Sequence, residues 1–465
     1  MKYKGMSALE FRDIVSRGGV NLEEFYIDLF SELARLNRNY SFLRTVSEEK
    51  PEKMSGKLSG VPVTAKDCIC TRNIETTAGS RILEGYVPPF DATCIERVRS
   101  EGGEIVGKTN QDEFGFGTFS TNSGFGIPRN PIDPSRSCGG SSGGAAGLTK
   151  ALEMPHIAIG ESTGGSISCP ASFCGVAGLT PTYGLVSRYG HIDYANSLDK
   201  IGAIGKTAED VALLLSVMAG RDPRDQTTAE RKPEDYVKYT KDSSVKNLKI
   251  GVPEEYFGEG VDPEVSKRVW EGIKKMEDGG ASYGRVSLPG TDYAVAAYYI
   301  IATAEASTNL ARYCGMRYGR EEKTEGEFNE YFSRVRSRYL GREAKRRILL
   351  GTFTRMAGYR DQYYLKAMKA RTLIINEFRS LFRKHDILVA PTMPVIAPKF
   401  SEIEKMSPVQ NYMMDTLTVA PNLAGIPMLS VPCGKVRGMP VGMHIMGDHF
   451  REGSILKAGS AFGSM

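Results

Sequence analysis

The chain has 465 residues, of which 41% are hydrophobic and 25% are charged. This composition is typical of an ordinary globular protein and excludes a disordered chain. The 60 basic and 55 acidic residues leave a formal net charge of only +5, which does not indicate direct nucleic-acid binding. The length would allow two or three domains, but large α/β enzymes often surround one sheet, so we expect one dominant body.

The spacing of the cysteines and the hydropathy of the chain indicate the cellular compartment of the protein. The eight cysteines occur singly, without a CxxC pair or a neighbouring histidine cluster that would suggest a zinc site. The N-terminal segment has no apolar run long enough for a signal peptide, and no later segment is long enough for a membrane span. We therefore predict a soluble, cytoplasmic protein without contact to a membrane.

The first hundred residues predict helices and strands in alternation. Apolar residues at helical spacing predict peripheral helices at residues 7–18 and 22–37. Residues 60–67 predict a short strand that ends in the charged pair of Lys66 and Asp67. A helix near 91–101 and a strand at 104–107 follow, and this alternation predicts an α/β architecture.

The segment from about 107 to 190 is dominated by Gly, Ser and Thr. No helix-length apolar pattern is intact there, so we predict a loop-rich region. A flexible linker is one interpretation. Interleaved apolar residues such as Ile157, Ile159 and Ile167 favour a buried site, because a solvated linker would not need them.

The remaining chain again predicts helices and strands. In order, these are a helix at 207–219, a polar connector at 221–246, a strand at 248–252, helices at 263–277, 291–313 and 353–382, a buried strand at 386–391, paired strands at 428–431 and 441–445, and a helix at 452–462. A basic run at 342–347 lies in a helical pattern, where a solvated helix face is the simplest interpretation.

Three separated pieces of sequence together carry chemistry: Lys66, the run at 138–144, and the run at 164–167. Each is weak alone, because Gly-Gly-Ser strings are common in loops. Together they supply a serine nucleophile, a second hydroxyl, a lysine base and backbone amides for a developing oxyanion. The five histidines lie outside any recognisable nucleophile elbow, so a Ser-His-Asp triad has no obvious position.

Residues 63–67, 139–144, 160–171 and 175–179 resemble, in this order, the signature of the amidase family. By this resemblance Ser166 is the nucleophile that forms an acyl ester, Ser141 is the bridging serine and Lys66 is the general base. The resemblance also implies a cis peptide bond between Gly140 and Ser141. Ser142 is the competing candidate for the bridging serine.

The resemblance has further implications for the site and the fold. Lysine acts as a base only when neutral, a form that burial favours because desolvation disfavours the ammonium. The backbone amides of Thr163, Gly164, Gly165 and Ser166 are expected to form the oxyanion hole. The expected fold is one α/β domain over residues 1–465, with a large mixed sheet covered on both faces by helices. Within it we expect the peripheral helices at 7–37, a catalytic core at about 56–205, the connector, and a substrate-clamp half at 247–465.

Residues 298–310, 345–353 and 422–427 resemble the glutaminase subunit of the amidotransferases that act on glutamyl-tRNA(Gln) or aspartyl-tRNA(Asn). This resemblance implies that Tyr298, Arg347 and Asp415 bind L-glutamine. A guanidinium complements the carboxylate of a free amino acid, and a carboxylate complements its ammonium. Without the resemblance, Arg347 would be assigned to the surface and Tyr298 to the core.

The implied reaction is hydrolysis of glutamine to glutamate and ammonia. A tRNA-binding partner subunit would use the ammonia, with ATP and magnesium, to amidate a misacylated tRNA, and a small third subunit would brace this chain. We expect no cofactor in this chain, which has no phosphate loop of the GxxxxGK[ST] type. The alternatives are a free-standing amidase for another small carboxamide and a non-catalytic scaffold, against which the intact Lys66, Ser141 and Ser166 argue.

The resemblance departs from the family pattern at Ser162 and Ser168, where family members usually have Asp and Arg. The segment between Ser141 and Ser166 is also one residue longer than usual. We therefore expect a rearranged set of hydrogen bonds behind the triad.

Overall fold

The centre of the structure, a computed structural model that describes residues 3–47, 55–242 and 244–465, is a sheet of eleven strands. Along the chain the strands are β1 (Leu43–Val46), β2 (Pro62–Lys66), β3 (Glu104–Thr109), β4 (Ile157–Ser162), β5 (Ala177–Thr180), β6 (Lys200–Gly205), β7 (Lys249–Pro253), β8 (Ser282–Val286), β9 (Ile387–Pro391), β10 (Met428–Val436) and β11 (Met439–Gly447). In space their order is β1-β3-β2-β4-β6-β5-β10-β11-β9-β7-β8. β2 is parallel to β3 and β4, whereas β4 is antiparallel to β6, so the sheet is mixed.

Fifteen α-helices are present in the described part of the chain. They are α1 (Ala8–Ser16), α2 (Leu22–Tyr40), α3 (Thr93–Ser100), α4 (Gly143–Ala151), α5 (Ser168–Cys174), α6 (Ala208–Met218), α7 (Pro263–Asp278), α8 (Thr291–Asn309), α9 (Phe328–Tyr339), α10 (Arg342–Arg355), α11 (Lys366–Phe382), α12 (Phe400–Ile403), α13 (Pro408–Met413), α14 (Val419–Ala424) and α15 (Glu452–Ser464). Over the described ranges, none of the helices is both long and apolar enough to cross a membrane.

Helices and loops cover both faces of the sheet. Every residue of β2, β3, β4, β6 and β11 is buried. Because successive side chains of a strand point to opposite faces, complete burial of a strand requires cover on both sides. The predicted α/β fold with a covered mixed sheet is confirmed.

The sheet brings the three chemical motifs to one edge. β2 ends at Lys66, and the neighbouring parallel strand β4 ends at Ser162, just before the run at 163–166. Parallel neighbours present their carboxyl ends at the same edge of a sheet, where α/β enzymes bind their ligands. α4 begins at Gly143, directly after Ser141 and Ser142, and packs against both strands.

The prediction of a loop-rich region from 107 to 190 was wrong in part. α4, α5, β4 and β5 lie within it. All seven residues of α5 are buried, as are the first seven of α4. A helix without a solvent-facing side has no polar stripe, so the helical period that sequence patterning detects is missing.

The single helix predicted at 353–382 is also incorrect. α10 ends at Arg355, and Gly358 follows in the left-handed region with φ of +87°. A single π-helical turn at Asp361–Leu365 then leads into α11. The edge strands β1 and β8 were not predicted, because short, partly exposed strands show weak apolar alternation. The charged helix α9 was not predicted either, although Phe328, Tyr331 and Val335 have helical spacing.

α8 and α10 cross with their backbones in contact. A Cβ atom built on Gly351 of α10 would lie 1.8 Å from the carbonyl oxygen of Thr303 in α8, so only glycine fits at this crossing. Arg347 lies one turn before Gly351, and Tyr299 lies one turn before Thr303. The guanidinium carbon of Arg347 is 5.1 Å from the centre of the Tyr299 ring. The close crossing therefore brings Arg347 into the interior.

Candidate active site

The proposed base and bridging serine are in direct contact. Lys66 Nζ donates a hydrogen bond to Ser141 Oγ at 2.7 Å, and both residues are completely buried. The Gly140–Ser141 peptide bond is cis, as predicted. The hydroxyl of Ser142 donates instead to the carbonyl oxygen of Glu161 at 3.2 Å. The geometry therefore favours Ser141 over Ser142 as the bridging serine.

Ser166 differs from its two candidate partners in exposure. It retains 7% of its surface, whereas Lys66 and Ser141 retain none. Its carbonyl oxygen accepts a hydrogen bond from the Ser142 amide at 3.1 Å, which ties the two serine-containing loops together. Of these three residues, only Ser166 is accessible to a substrate.

The loop at 163–166 has the features of an oxyanion hole. None of the described residues accepts a hydrogen bond from its four backbone amides. A Cβ atom built on Gly165 would lie 2.4 Å from Thr418 Oγ1, and one built on Gly164 would lie 2.9 Å from Tyr298 Oη. The two glycines therefore let the loop lie directly against Thr418 and the predicted substrate residue Tyr298.

Glu161 is a residue of this site that the sequence analysis did not assign. Its Oε2 accepts a hydrogen bond from Lys66 Nζ at 2.8 Å, and the two side chains are 2% and 0% exposed. Burial alone would raise the pKa of the Glu161 carboxyl, but the charges of Lys66 and His191 and hydrogen bonds from Lys66 and Thr163 lower it overall. A charged residue in the otherwise uncharged strand β4 was the available signal.

The two departures from the family pattern lie behind the triad. The buried hydroxyl of Ser162 has no hydrogen-bond partner among the described residues. The hydroxyl of Ser168 lies 3.5 Å from His444 Nε2. Within this motif, the acidic side chain that contacts the base belongs to Glu161.

Arg347 lies in an aromatic box in the interior, with 3% of its surface exposed. Its guanidinium carbon is within 5.1 to 5.6 Å of four ring centres, those of Phe116, Tyr194, Tyr299 and Tyr412. Nη1 donates to Tyr194 Oη at 2.5 Å, and Nε donates to Glu343 Oε1 at 2.9 Å. Nη2 has no partner in the described chain and can bind a ligand carboxylate.

Asp415 is held by two hydroxyl groups. Tyr299 Oη donates to Oδ2 at 2.6 Å, and Thr118 Oγ1 donates to Oδ1 at 3.0 Å. Burial raises the pKa of the Asp415 carboxyl, although both hydrogen bonds and the charge of Arg347 oppose the shift. A ligand ammonium placed beside Asp415 would favour its charged form.

The clamp residues and the triad lie in neighbouring positions. Thr118 joins them, because its hydroxyl binds Asp415 while its carbonyl oxygen accepts from the Gly140 amide at 2.7 Å. A cavity of about 290 Å³ is lined by Thr118, Phe119, Arg347 and Tyr412 among others. Lys66, Ser141 and Ser166 are all described, and none of them lines this cavity.

Two groups of side chains have the composition of a metal site. The ligand atoms of Cys68, Glu161 and His191 lie within 4.8 Å of one another, as do those of His191, Asp193 and Asp199. Both carboxylate oxygens of Glu161 already accept hydrogen bonds, from Lys66 and Thr163, and both oxygens of Asp199 are hydrogen bonded, to Thr163 and to the amides of Tyr194 and Ala195. These residues are therefore assigned to the hydrogen-bond network of the site.

Comparison with known proteins supports the resemblance. Residues 41–456 match the model of the Amidase family. The A subunit of glutamyl-tRNA(Gln) amidotransferase from Methanococcoides burtonii is 50% identical over 411 residues, which cover 88% of this chain and 85% of that protein. The corresponding protein from Halothermothrix orenii is 45% identical over 463 residues, covering 98% and 96%.

A solved structure extends the comparison to the fold. The crystal structure of the corresponding amidotransferase subunit from Thermotoga maritima is 40% identical in sequence and superimposes with a TM-score of 0.78. The superposition covers 91% of this chain and 87% of that one. The chain therefore belongs to the amidase family, where its relatives include the A subunit of glutamyl-tRNA(Gln) amidotransferases.

Proposed function

We propose that this chain hydrolyses L-glutamine to glutamate and ammonia as the glutaminase subunit of a tRNA-dependent amidotransferase. The observation that carries the proposal is that Thr118 binds Asp415, contacts the Gly140–Ser141 segment and lines one cavity with Arg347. An arginine and an aspartate complement the carboxylate and the ammonium of a free amino acid. An amidase for simple amides would not need this pair.

The proposed reaction has two stages. Ser166 Oγ attacks the carbonyl carbon of the glutamine side-chain amide, its proton passes to Ser141, and the Ser141 proton passes to Lys66 Nζ. The C–N bond then breaks, the leaving nitrogen takes a proton back by the reverse route, and ammonia departs. Water attacks the resulting γ-glutamyl ester with the same proton transfers, which releases glutamate and restores Ser166.

The backbone amides of residues 163–166 have a defined part in this scheme. As the serine attacks, negative charge develops on the former carbonyl oxygen, and unpaired N–H groups stabilise it. Tyr298, whose hydroxyl lies against Gly164, would contact the bound glutamine next to this loop.

The ammonia is used by a second subunit in this proposal. That partner binds tRNA, ATP and Mg²⁺ and converts Glu-tRNA(Gln), Asp-tRNA(Asn) or both, while a small third subunit braces this chain in the cytoplasm. The names of the relatives support an assembly of this kind. This chain needs no cofactor of its own, because the nucleophile, base and oxyanion donors are all groups of the protein.

The test is ammonia release from L-glutamine by the full chain co-expressed with its candidate partner subunits, compared with Ser166→Ala. We expect the variant to lose at least about a thousandfold in rate, because the covalent route is closed. Unchanged thermal unfolding would show that the variant is folded. Undiminished release by Ser166→Ala would overturn the mechanism.

The rate of butyramide hydrolysis distinguishes the proposed glutaminase from a free-standing amidase. Butyramide keeps the amide and lacks both charged groups that Arg347 and Asp415 would bind. We expect kcat/KM for butyramide to be lower than for glutamine by about a hundredfold or more, since each charge-assisted hydrogen bond contributes about 1.5 to 3 kcal/mol. Equal values for the two amides would favour the free-standing amidase.

A further inference from the structure

The contact between Glu161 and Lys66 bears directly on the proposed base. Lys66 Nζ has three acceptors within 3.0 Å, namely Ser141 Oγ, Glu161 Oε2 and the Glu161 carbonyl oxygen. A buried carboxylate at 2.8 Å stabilises an ammonium group, because the low local dielectric strengthens the attraction. The proposed mechanism requires the opposite, neutral form of the amine before the serine is deprotonated.

The hydrogen bonds around Thr163 show which carboxyl of this network is charged. Thr163 Oγ1 lies 2.9 Å from Glu161 Oε1 and 2.8 Å from Asp199 Oδ1. A hydroxyl has one proton, so it donates to one carboxyl and must accept a proton from the other. Burial, together with the charge of Glu161, raises the pKa of Asp199 to about 7, whereas the pKa of Glu161 is lowered, so Glu161 is the more readily ionised of the two carboxyls.

Two groups donate hydrogen bonds to the side chain of Glu161. Thr163 Oγ1 donates to Oε1 at 2.9 Å, and Lys66 Nζ donates to Oε2 at 2.8 Å. Both oxygens of Glu161 are then acceptors, which holds the residue as a carboxylate. Glu161 thus keeps a fixed negative charge against Lys66 Nζ.

Other charges face this pair from several elements. The titratable or charged groups are Cys68 after β2, Asp112 after β3, His191, Asp193 and Asp199 before β6, and Arg347 on α10. None of these six is hydrogen bonded to Lys66 in the described structure, whereas Glu161 is. Among these groups, Glu161 is therefore the one that places its charge in direct contact with the proposed base.

We infer that Glu161 is a positioning residue that acts through Lys66. It directs Nζ toward Ser141, and its negative charge governs how readily Lys66 takes up the serine proton. The inference rests on the proposed function, because it takes Lys66 as the base and Ser166 as the nucleophile.

The test is the pH dependence of Ser166 labelling by a fluorophosphonate probe, measured on the full chain with its partner subunits. Labelling forms an oxygen–phosphorus bond at Ser166 and releases fluoride, while the serine proton moves to Lys66, so it reports activation of the nucleophile without needing glutamine. In Glu161→Gln the hydrogen bond can remain but the charge is gone. We expect the acid limb of the profile to move to lower pH, because the ammonium form loses the adjacent negative charge.

Two further variants make the experiment decisive. Thr163→Val removes the hydrogen bond to Glu161 and should move the limb in the same direction by a smaller amount, which provides a second measurement if Glu161→Gln does not fold. Asp210→Asn replaces a buried acid outside the site and should leave the profile in place. Profiles of Glu161→Gln and Thr163→Val that coincide with that of the wild type would overturn the inference. Labelling that persists in Ser166→Ala would instead overturn the proposed function.

Discussion

The triad and the substrate clamp are built in different ways. Lys66 and the loop at 163–166 lie at the ends of two parallel strands, where backbone contacts hold them in place. Arg347 lies on α10 and Asp415 lies in the turn between α13 and α14, and both are held by side chains, mainly tyrosine rings and hydroxyls. In the proposed function, catalysis and substrate binding therefore depend on separate parts of the fold. Substitutions in the first region should lower kcat, and those in the second should raise KM.

The largest effect should come from the bridging serine. Ser141→Ala removes the hydroxyl that contacts Lys66 Nζ, and we expect kcat for glutamine hydrolysis to fall by about a hundredfold to ten-thousandfold, the usual contribution of proton transfer to a positioned base. Steady-state ammonia release measures it. Ser142→Ala is the matched control, because its hydroxyl contacts only a carbonyl oxygen, and we expect less than about a tenfold loss. A larger loss in Ser142→Ala would exchange the roles of the two serines.

A smaller effect, of a different kind, is expected at the clamp. Arg347→Lys keeps the charge but loses the planar group that lies among four aromatic rings, so KM for glutamine should rise about tenfold to a hundredfold with little change in kcat. Arg355→Lys, at the exposed C-terminal end of the same helix and not among the residues that line the cavity, should leave KM unchanged. If Arg347→Lys lowered kcat without changing KM, the assignment of substrate binding to the clamp and of catalysis to the triad would be wrong.

The smallest effect on activity is expected at Asp210, which belongs to neither region. This buried residue accepts hydrogen bonds from the Ala8 and Leu9 amides, and burial raises its pKa to about 6. Because the folded state holds the proton more tightly, the stability that Asp210 contributes is present at low pH and is lost as pH rises from about 4 through 6. Asn keeps an acceptor and does not titrate.

Unfolding by urea at pH 4 and pH 7 measures this effect. Relative to the wild type, Asp210→Asn should gain stability between these values by at most about 3 kcal/mol, which corresponds to a shift of about two pKa units. The rate of glutamine hydrolysis should stay the same. An equal stability difference at both values would show that Asp210 does not titrate in this range.

The sequence predicted the two regions unequally, for a physical reason. The triad could be assigned because Ser141 and Ser166 lie in short contiguous motifs whose order is visible along the chain. The aromatic box around Arg347 could not be predicted from the sequence. Tyr194 and Tyr412 come from distant segments and have no local pattern that distinguishes them from core residues. Glu161 lay within a recognised motif, but its contact with Lys66 depends on the register of β2 against β4.

The fold was predicted where elements have one apolar and one polar side. α2 and α7 have that pattern, and their structural bounds are close to the predicted ones. α4 and α5 are buried all round, so only tertiary structure reveals them as helices.

Gly351, at the crossing of α8 and α10, determines how closely the two helices approach each other. No residue with a side chain can occupy position 351 without separating the two helices, since the nearest backbone oxygen is 1.8 Å from the place of a Cβ atom. The depth at which the Arg347 guanidinium is buried therefore depends on the distance between the backbones of α8 and α10. Replacing Gly351 would therefore displace Arg347 relative to α8 although every residue of the proposed clamp stays the same.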